Sequence, residues 1–152
     1  MQPLITTLVL VHRENDVLLG MKKRGFGEGR WNGFGGKVHE DETIEQAAYR
    51  ECQEEAGITC KNLQHRGVLT FNFDDDTPTI EVHLYTTTDF EGAPQETEEM
   101  MPQWFTKDEI PFDSMWPDDR HWFPYFWEGK YFDGAFWFKD ADTLIRHEIT
   151  EW

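Results

Sequence analysis

Cysteine is scarce in this chain, with only Cys52 and Cys60 among 152 residues. Two thiols eight positions apart make no disulfide framework, and they read as reduced thiols of a cytosolic-type compartment. The first residues, Met1-Gln2-Pro3-Leu4-Ile5-Thr6-Thr7, lack a basic n-region and a cleavage site, so no secretory signal is expected. No apolar run approaches the roughly 18 residues of a membrane span, and mean hydropathy is −0.70. Basic residues are also few, 14 Lys and Arg against 30 Asp and Glu, for a formal net charge of −16. That deficit argues against binding a nucleic-acid polymer or an anionic membrane, both of which depend on Lys and Arg. It leaves room for a small phosphate ligand, provided a metal supplies the missing positive charge. Repeats, low-complexity tracts and linkers are absent too. One domain over residues 1–152 is the expectation, large enough to bury a core.

Aromatic residues are abundant and uneven, with 14 of 23 between Trp104 and Phe138. Ile5–Val11 and Val17–Met21 are β-branched and Leu-rich runs around the polar Arg13-Glu14-Asn15-Asp16, which predicts a hairpin. Six glycines in the twelve residues 25–36 exclude a stable helix or strand interior there. Thr43 to Ala56 carries helix signals. Thr43 and Gln46 form a potential capping box, Ile44, Ala47, Ala48 and Cys52 share a face, and Gly57 is a stop. Val68–Phe73 and Ile80–Thr86 read as strands across an Asp- and Pro-rich turn. Trp116-Pro117-Asp118-Asp119 opens a second helix, which Pro124 is expected to interrupt or restart. Tyr131–Phe138 and Thr143–Thr150 complete an α+β pattern of mostly antiparallel strands.

The strongest chemical signal is Arg50-Glu51-Cys52-Gln53-Glu54-Glu55-Ala56-Gly57. On a helix Glu51, Glu54 and Glu55 fall at i, i+3 and i+4 and share one face. Such a cluster can be a solvated acidic surface. Here the opposite face is apolar and a glycine-rich loop leads straight into the helix. A hard cation and a phosphate ligand together need that combination. All donors are oxygen, which suits Mg²⁺ or Mn²⁺ rather than zinc. Cys52 lies on the core side. The six histidines show no partner spacing and read as surface or core residues.

The stretch 36–58 fits the pattern G-x5-E-x7-R-E-U-x-E-E-x-G-U, where U is apolar, with Gly36, Glu42, Arg50, Glu51, Cys52, Glu54, Glu55, Gly57 and Ile58 at the constrained positions. This pattern resembles the box of the Nudix hydrolase family. The resemblance implies an α/β/α sandwich around a mixed sheet with a loop–helix–loop metal site. It implies Mg²⁺, replaceable by Mn²⁺, held by Glu51, Glu54, Glu55 and the Gly35 carbonyl, with Glu99 as a further carboxylate. Arg50 would orient the glutamates, and Glu55, or else Glu54, would act as base. Outside the box, residues 18–38, Val82-His83, Trp104-Phe105, Phe112 and Trp116-Pro117-Asp118-Asp119 resemble the MutT-type branch of the family.

That branch implies hydrolysis of oxidised or otherwise modified purine nucleoside triphosphates, such as 8-oxo-dGTP, 2-hydroxy-dATP and methylated purine dNTPs, to monophosphate and pyrophosphate. By this likeness the purine pocket uses Asn32, Trp116, Pro117, Asp118 and Asp119. Thr7, Lys22, Phe26, Phe71, Phe73, Met100 and Trp122 stand around it, with Ile80 as another wall residue. Phe34, Gly35, Gly36 and Lys37 line the phosphate side. A cytoplasmic monomer that binds no nucleic-acid polymer and no membrane is expected. Each pocket residue also has a plainer reading: Trp116 as core, Asp118 or Asp119 as a helix cap, Asn32 as a left-handed loop residue. Two other functions stay open at this point, a Nudix hydrolase of another nucleoside diphosphate derivative and a non-catalytic Nudix-fold binding module.

Overall fold

A computed structural model describes residues 2–152. Its strands are β1 (Leu4–His12), β2 (Asp16–Lys22), β3 (Trp31–Asn32), β4 (Thr59–Lys61), β5 (Gln64–Phe73), β6 (Ile80–Thr87), β7 (Asp89–Glu91), β8 (Met100–Thr106), β9 (Phe132–Asp140) and β10 (Thr143–Glu151). The helices are α1 (Ile44–Ala56) and α2 (Asp119–Trp127). One eight-stranded sheet runs β10-β9-β5-β6-β1-β2-β3, with β8 also on β2, and β4 pairs with β7 apart from it. β1–β6 and β5–β9 are parallel and the other pairings antiparallel, so the sheet is mixed. No helix among the described residues is long and apolar enough to cross a membrane.

Strand alternation sorts the core into two layers. Leu8 and Leu10 of β1 join Val17 and Leu19 of β2 under Trp122, Phe123 and Phe126 of α2. Val9, Val11 and Leu18 point the other way, onto Ala48, Cys52 and Ala56 of α1. One helix therefore covers each face, giving an α/β/α sandwich. Cys52 and Cys60 are buried free thiols in the second layer.

The expected caps of α1 form. Gln46 N–H donates to Thr43 Oγ1 at 3.1 Å and Thr43 N–H to Gln46 Oε1 at 2.9 Å. Such a cap contributes about 1 kcal/mol. Gly57 takes the left-handed conformation, φ 69°, that ends the helix. The expectation for Pro124 is not met, because α2 runs through it unbroken. The bond forfeited is the one to the Arg120 carbonyl, and Arg120 is exposed, so water can take its place.

The feature that positions the site is a fork. β1 and β2 pair only at Val11↔Leu18 and His12↔Val17 and then diverge. The glycine-rich segment enters the gap and bonds to β1. Thr7 N–H donates to the Gly36 carbonyl at 2.9 Å and Phe34 N–H to the Val9 carbonyl at 3.0 Å. A Cβ on Gly35 would stand 1.8 Å from the Thr7 carbonyl oxygen, so only glycine permits this approach.

Candidate active site

Where the glycine segment leaves β1 it meets α1. Gly35 N–H donates to Glu55 Oε1 at 2.9 Å. Glu51 lies beside Gly36, whose missing Cβ would be 2.9 Å from Glu51 Oε1. Two carboxylates thus border two consecutive glycines. They are not a solvated face, for Glu51 and Glu55 are buried while Glu54 keeps 57% of its side chain exposed.

Arg50 organises this group. It donates to Glu51 at 2.7 Å and to Glu54 at 3.0 Å through Nη1, and to Glu42 at 2.8 Å and the Lys37 carbonyl at 3.1 Å through Nη2. The Glu42 carboxyl is pulled down to about 2, chiefly by the Arg50 hydrogen bond. Glu55 receives no such contact from Arg50. Its nearest cation is Lys22, at 3.9 Å, which also reaches Glu99 at 3.4 Å. Burial pushes Glu55 up to about 7 against the Gly35 hydrogen bond, and burial also raises Glu51. Glu99 moves the other way, lowered mainly by its hydrogen bond to Arg24. Lys23 is turned to Glu96, away from Glu55.

Among the described residues no three His, Cys, Asp or Glu side chains converge on one point. The reason is electrostatic: Arg50 holds Glu51 and Glu54, while Glu55 turns to Gly35 and Lys22. The donor set is nonetheless all oxygen, with two buried carboxylates beside a backbone stripped of side chains. It fits a hard dication and would suit zinc poorly.

A cavity of about 310 Å³ opens from Glu55 and runs between β1, β6 and the start of α2. Thr7, Lys22, Gly35, Gly36, Lys37 and Met100 lie at its wall, as do Phe26, Asn32, Phe71, Ile80, Trp116, Asp118 and Asp119. Four residues expected there stand elsewhere. Phe34 is core beneath the glycine segment. Phe73 stacks on Phe138 at 5.6 Å. Pro117 borders a separate surface cleft. Trp122 is fully buried and acts from behind, donating from Nε1 to Asp118 Oδ2 at 2.8 Å.

Asp118 occupies the N-cap position of α2 but makes no capping hydrogen bond, so the cap reading fails. Asn32 is in β3 without a left-handed φ, and its Oδ1 accepts from Gly33 N–H at 3.0 Å. Both aspartates are buried, and burial raises both carboxyls. Asp119 is driven well above the usual carboxylate range, with the Asp118 charge adding to burial, so the pair resists double ionisation. Asp118 Oδ1, Asp119 Oδ2 and Thr7 Oγ1 are buried without a hydrogen-bond partner among the described residues. All three residues border the one cavity. Buried polar atoms without partners are expensive, and their gathering here marks where a polar ligand belongs.

Trp116 keeps 8% exposure. Arg30 lies 4.3 Å from its ring centroid and Phe26 approaches tilted at 4.9 Å. Arg30 is tied in turn to the Ala141 carbonyl and the Asp142 carboxylate. Phe26, 69% exposed, forms the outer edge of the cavity. Leu4, Thr6, Leu8, Gly27, Gly33 and Val82 also line the wall and were not among the expected pocket residues, nor was Arg30 over Trp116. Leu4 and Thr6 come beside Ile80 and Val82 through the parallel β1–β6 pairing, for which the chain carries no local signal.

An acidic helix set against a glycine segment, at one end of a cavity floored by paired carboxyls, is a site for a phosphorylated small molecule with a polar ring. Residues 2–126 match the family described as NUDIX domain. The chain is 50% identical over 145 residues to the oxidized purine nucleoside triphosphate hydrolase of Mus musculus, covering 95% of this chain and 93% of that protein. It is 50% identical over 147 residues to the protein of the same name from Danio rerio, at 97% and 94% coverage. A MutT protein crystal structure from Bacillus halodurans superposes with a TM-score of 0.86 at 26% identity, over 96% of this chain and 97% of that one. The chain belongs to the Nudix hydrolase family. Residues beyond the matched segment remain part of the same sheet, since β9 pairs with β5.

Proposed function

We propose that this enzyme hydrolyses oxidised purine nucleoside triphosphates to monophosphate and pyrophosphate, with Mg²⁺ in the Glu51–Glu54–Glu55 site. The observation that carries this reading is the single cavity joining Glu55 and Lys22 at one end to the partnerless oxygens of Asp118 and Asp119 at the other. The names of the mouse and zebrafish relatives support the substrate class.

Bound there, Mg²⁺ supplies positive charge to the phosphate oxygens and acidifies water. The side chains do the rest. Lys22 offsets phosphate charge near Glu55, and Arg50 fixes Glu51 and Glu54 in orientation. Glu55, which accepts the Gly35 N–H at the phosphate end of the cavity, is the proposed general base. It accepts the proton as water oxygen bonds to a phosphorus of the chain. The α–β anhydride bond breaks, and pyrophosphate leaves with the bond's electron pair. Asn32, Asp118 and Asp119 read the purine edge, while Trp116 and Phe26 offer aromatic surface to its plane. No thiol or hydroxyl in the helix has a paired base, so no phosphoenzyme is proposed. The acidic surface agrees with a free nucleotide, rather than a polymer, as substrate. A monomer in the cytoplasm completes the proposal.

Product analysis tests the reading. Purified enzyme given 8-oxo-dGTP and Mg²⁺ should release 8-oxo-dGMP and pyrophosphate, stop when EDTA exceeds the metal, and resume when Mg²⁺ or Mn²⁺ is restored. Full turnover in excess EDTA, or binding of the triphosphate with no cleavage, refutes it. The second outcome would favour a binding module.

A further inference from the structure

The fold pairs four histidines that looked unrelated in the chain: His65 with His83, and His121 with His147. The first pair has the more telling geometry. Glu81, His83 and Tyr85 alternate onto one face of β6. On β5 the register shifts between His65 and Gly67, and this bulge brings His65 beside them. Gly67 is required there, since a Cβ would lie 1.5 Å from the Phe132 carbonyl oxygen.

His83 Nδ1 and His65 Nε2 face each other at 3.3 Å. At its other end, His83 Nε2 is 2.9 Å from Glu81 Oε2. The other partner of the His65 ring is the Gly67 backbone. Each ring then holds its proton where it has an acceptor. His83 Nε2–H donates to the Glu81 carboxylate, and the His65 N–H is directed to Gly67. In this pair of tautomers the facing nitrogens are two opposed lone pairs, and in any other, one N–H bridges them. Burial and the neighbouring His83 lower the affinity of His65 for a bridging proton. A cation removes the opposition. Two nitrogens bound tetrahedrally at about 2.0–2.1 Å from a metal stand about 3.3–3.4 Å apart, which matches the distance found.

We propose that His65 and His83 form a two-imidazole site for a borderline first-row dication, Zn²⁺, Ni²⁺ or Cu²⁺. Glu81 stands behind His83 as the carboxylate that orients its ring, an arrangement usual for metal-binding histidines. Water fills the remaining positions. His83 is mostly covered, with 13% of its side chain exposed, and Glu81 keeps 35%. The ion would staple β5 to β6. Nitrogen donors separate this site in kind from the oxygen donors of α1, so Mg²⁺ does not compete for it.

The experiment is titration of NiCl₂ into Mg²⁺-loaded enzyme, followed by calorimetry and by tryptophan fluorescence. The Trp152 ring lies 6.1 Å from His65 and reports the ion by quenching. One saturable site at micromolar Ni²⁺ is expected. It is lost in His65→Gln and in His83→Gln, weakened about tenfold in Glu81→Gln, and unchanged in His121→Gln. Circular dichroism checks each variant. The His65→Gln variant carries the test if His83→Gln does not fold. Absence of saturable binding, survival of binding in His65→Gln, or its loss in His121→Gln or Glu55→Gln overturns the proposal.

Discussion

Glu55→Gln lowers kcat by roughly a thousandfold at neutral pH and leaves the protein folded. The amide oxygen still accepts the Gly35 N–H, so the junction of loop and helix is kept. What is lost is a negative donor and a proton acceptor. The variant also changes the pH dependence of stability in the metal-free protein. The carboxyl titrates near 4.5 in an unfolded chain and at about 7 when folded. Its stabilising contribution is therefore fully present below pH 4.5 and lost as pH rises through 7. The loss is at most about 3 kcal/mol. Wild-type Tm without metal should fall between pH 5 and 8, and Glu55→Gln should flatten that fall. Metal displaces the same proton, so Mg²⁺ affinity should rise over this interval. Wild-type turnover in Glu55→Gln contradicts the assignment of Glu55 to catalysis.

Asp118→Asn and Asp119→Asn each shift the preference between 6-oxo and 6-amino purine triphosphates by about 10- to 100-fold, the scale of one paired contact to a base edge. A protonated carboxyl donates and an ionised one accepts. With one proton between two buried carboxyls, the pair can present either pattern to the purine. A 6-oxo purine shows an acceptor at O6 and a donor at N1, and a 6-amino purine shows the reverse. Trp122 Nε1 donates to Asp118 Oδ2, leaving Asp118 Oδ1 and Asp119 Oδ2 to face the purine, and burial raises both carboxyls. An amide fixes one donor and one acceptor and ends the exchange. Because the Asp119 carboxyl is raised on folding, kcat/KM should fall on the alkaline side as the pair loses its proton. Either variant should flatten that limb. Unchanged selectivity together with an unchanged pH profile in both variants rules out proton sharing as the basis of recognition.

Local chemistry made the metal-binding half of the site legible. The i, i+3, i+4 glutamates, the Thr43–Gln46 box and the stop at Gly57 are written within fifteen residues, and the helix forms as they dictate. The hairpin β1–β2 was legible for the same reason. The base-binding half was read mainly from resemblance, because long-range pairing builds it. The parallel β1–β6 register sets Thr6 against Val82, and no turn or periodicity announces such a pairing. Trp122 illustrates the limit. Its spacing from Asp118 allowed a hydrogen bond one helical turn away, but only the packed structure shows the indole in the core with its N–H on the carboxylate. Phe73 faltered similarly, since Phe138, from a strand 65 residues later, takes the face a ligand would need. The histidine pairs were invisible because each joins elements that meet only in the folded sheet or across it.

What stands or falls first is hydrolysis of oxidised purine nucleoside triphosphates at the cavity that joins Glu55 to Asp118 and Asp119. The most direct test is kcat/KM for pyrophosphate release from 8-oxo-dGTP and dGTP, measured side by side with Mg²⁺ present. At least tenfold preference for 8-oxo-dGTP is predicted. Equal values for the two nucleotides, or faster cleavage of a nucleotide sugar or dinucleotide polyphosphate than of either, would contradict it.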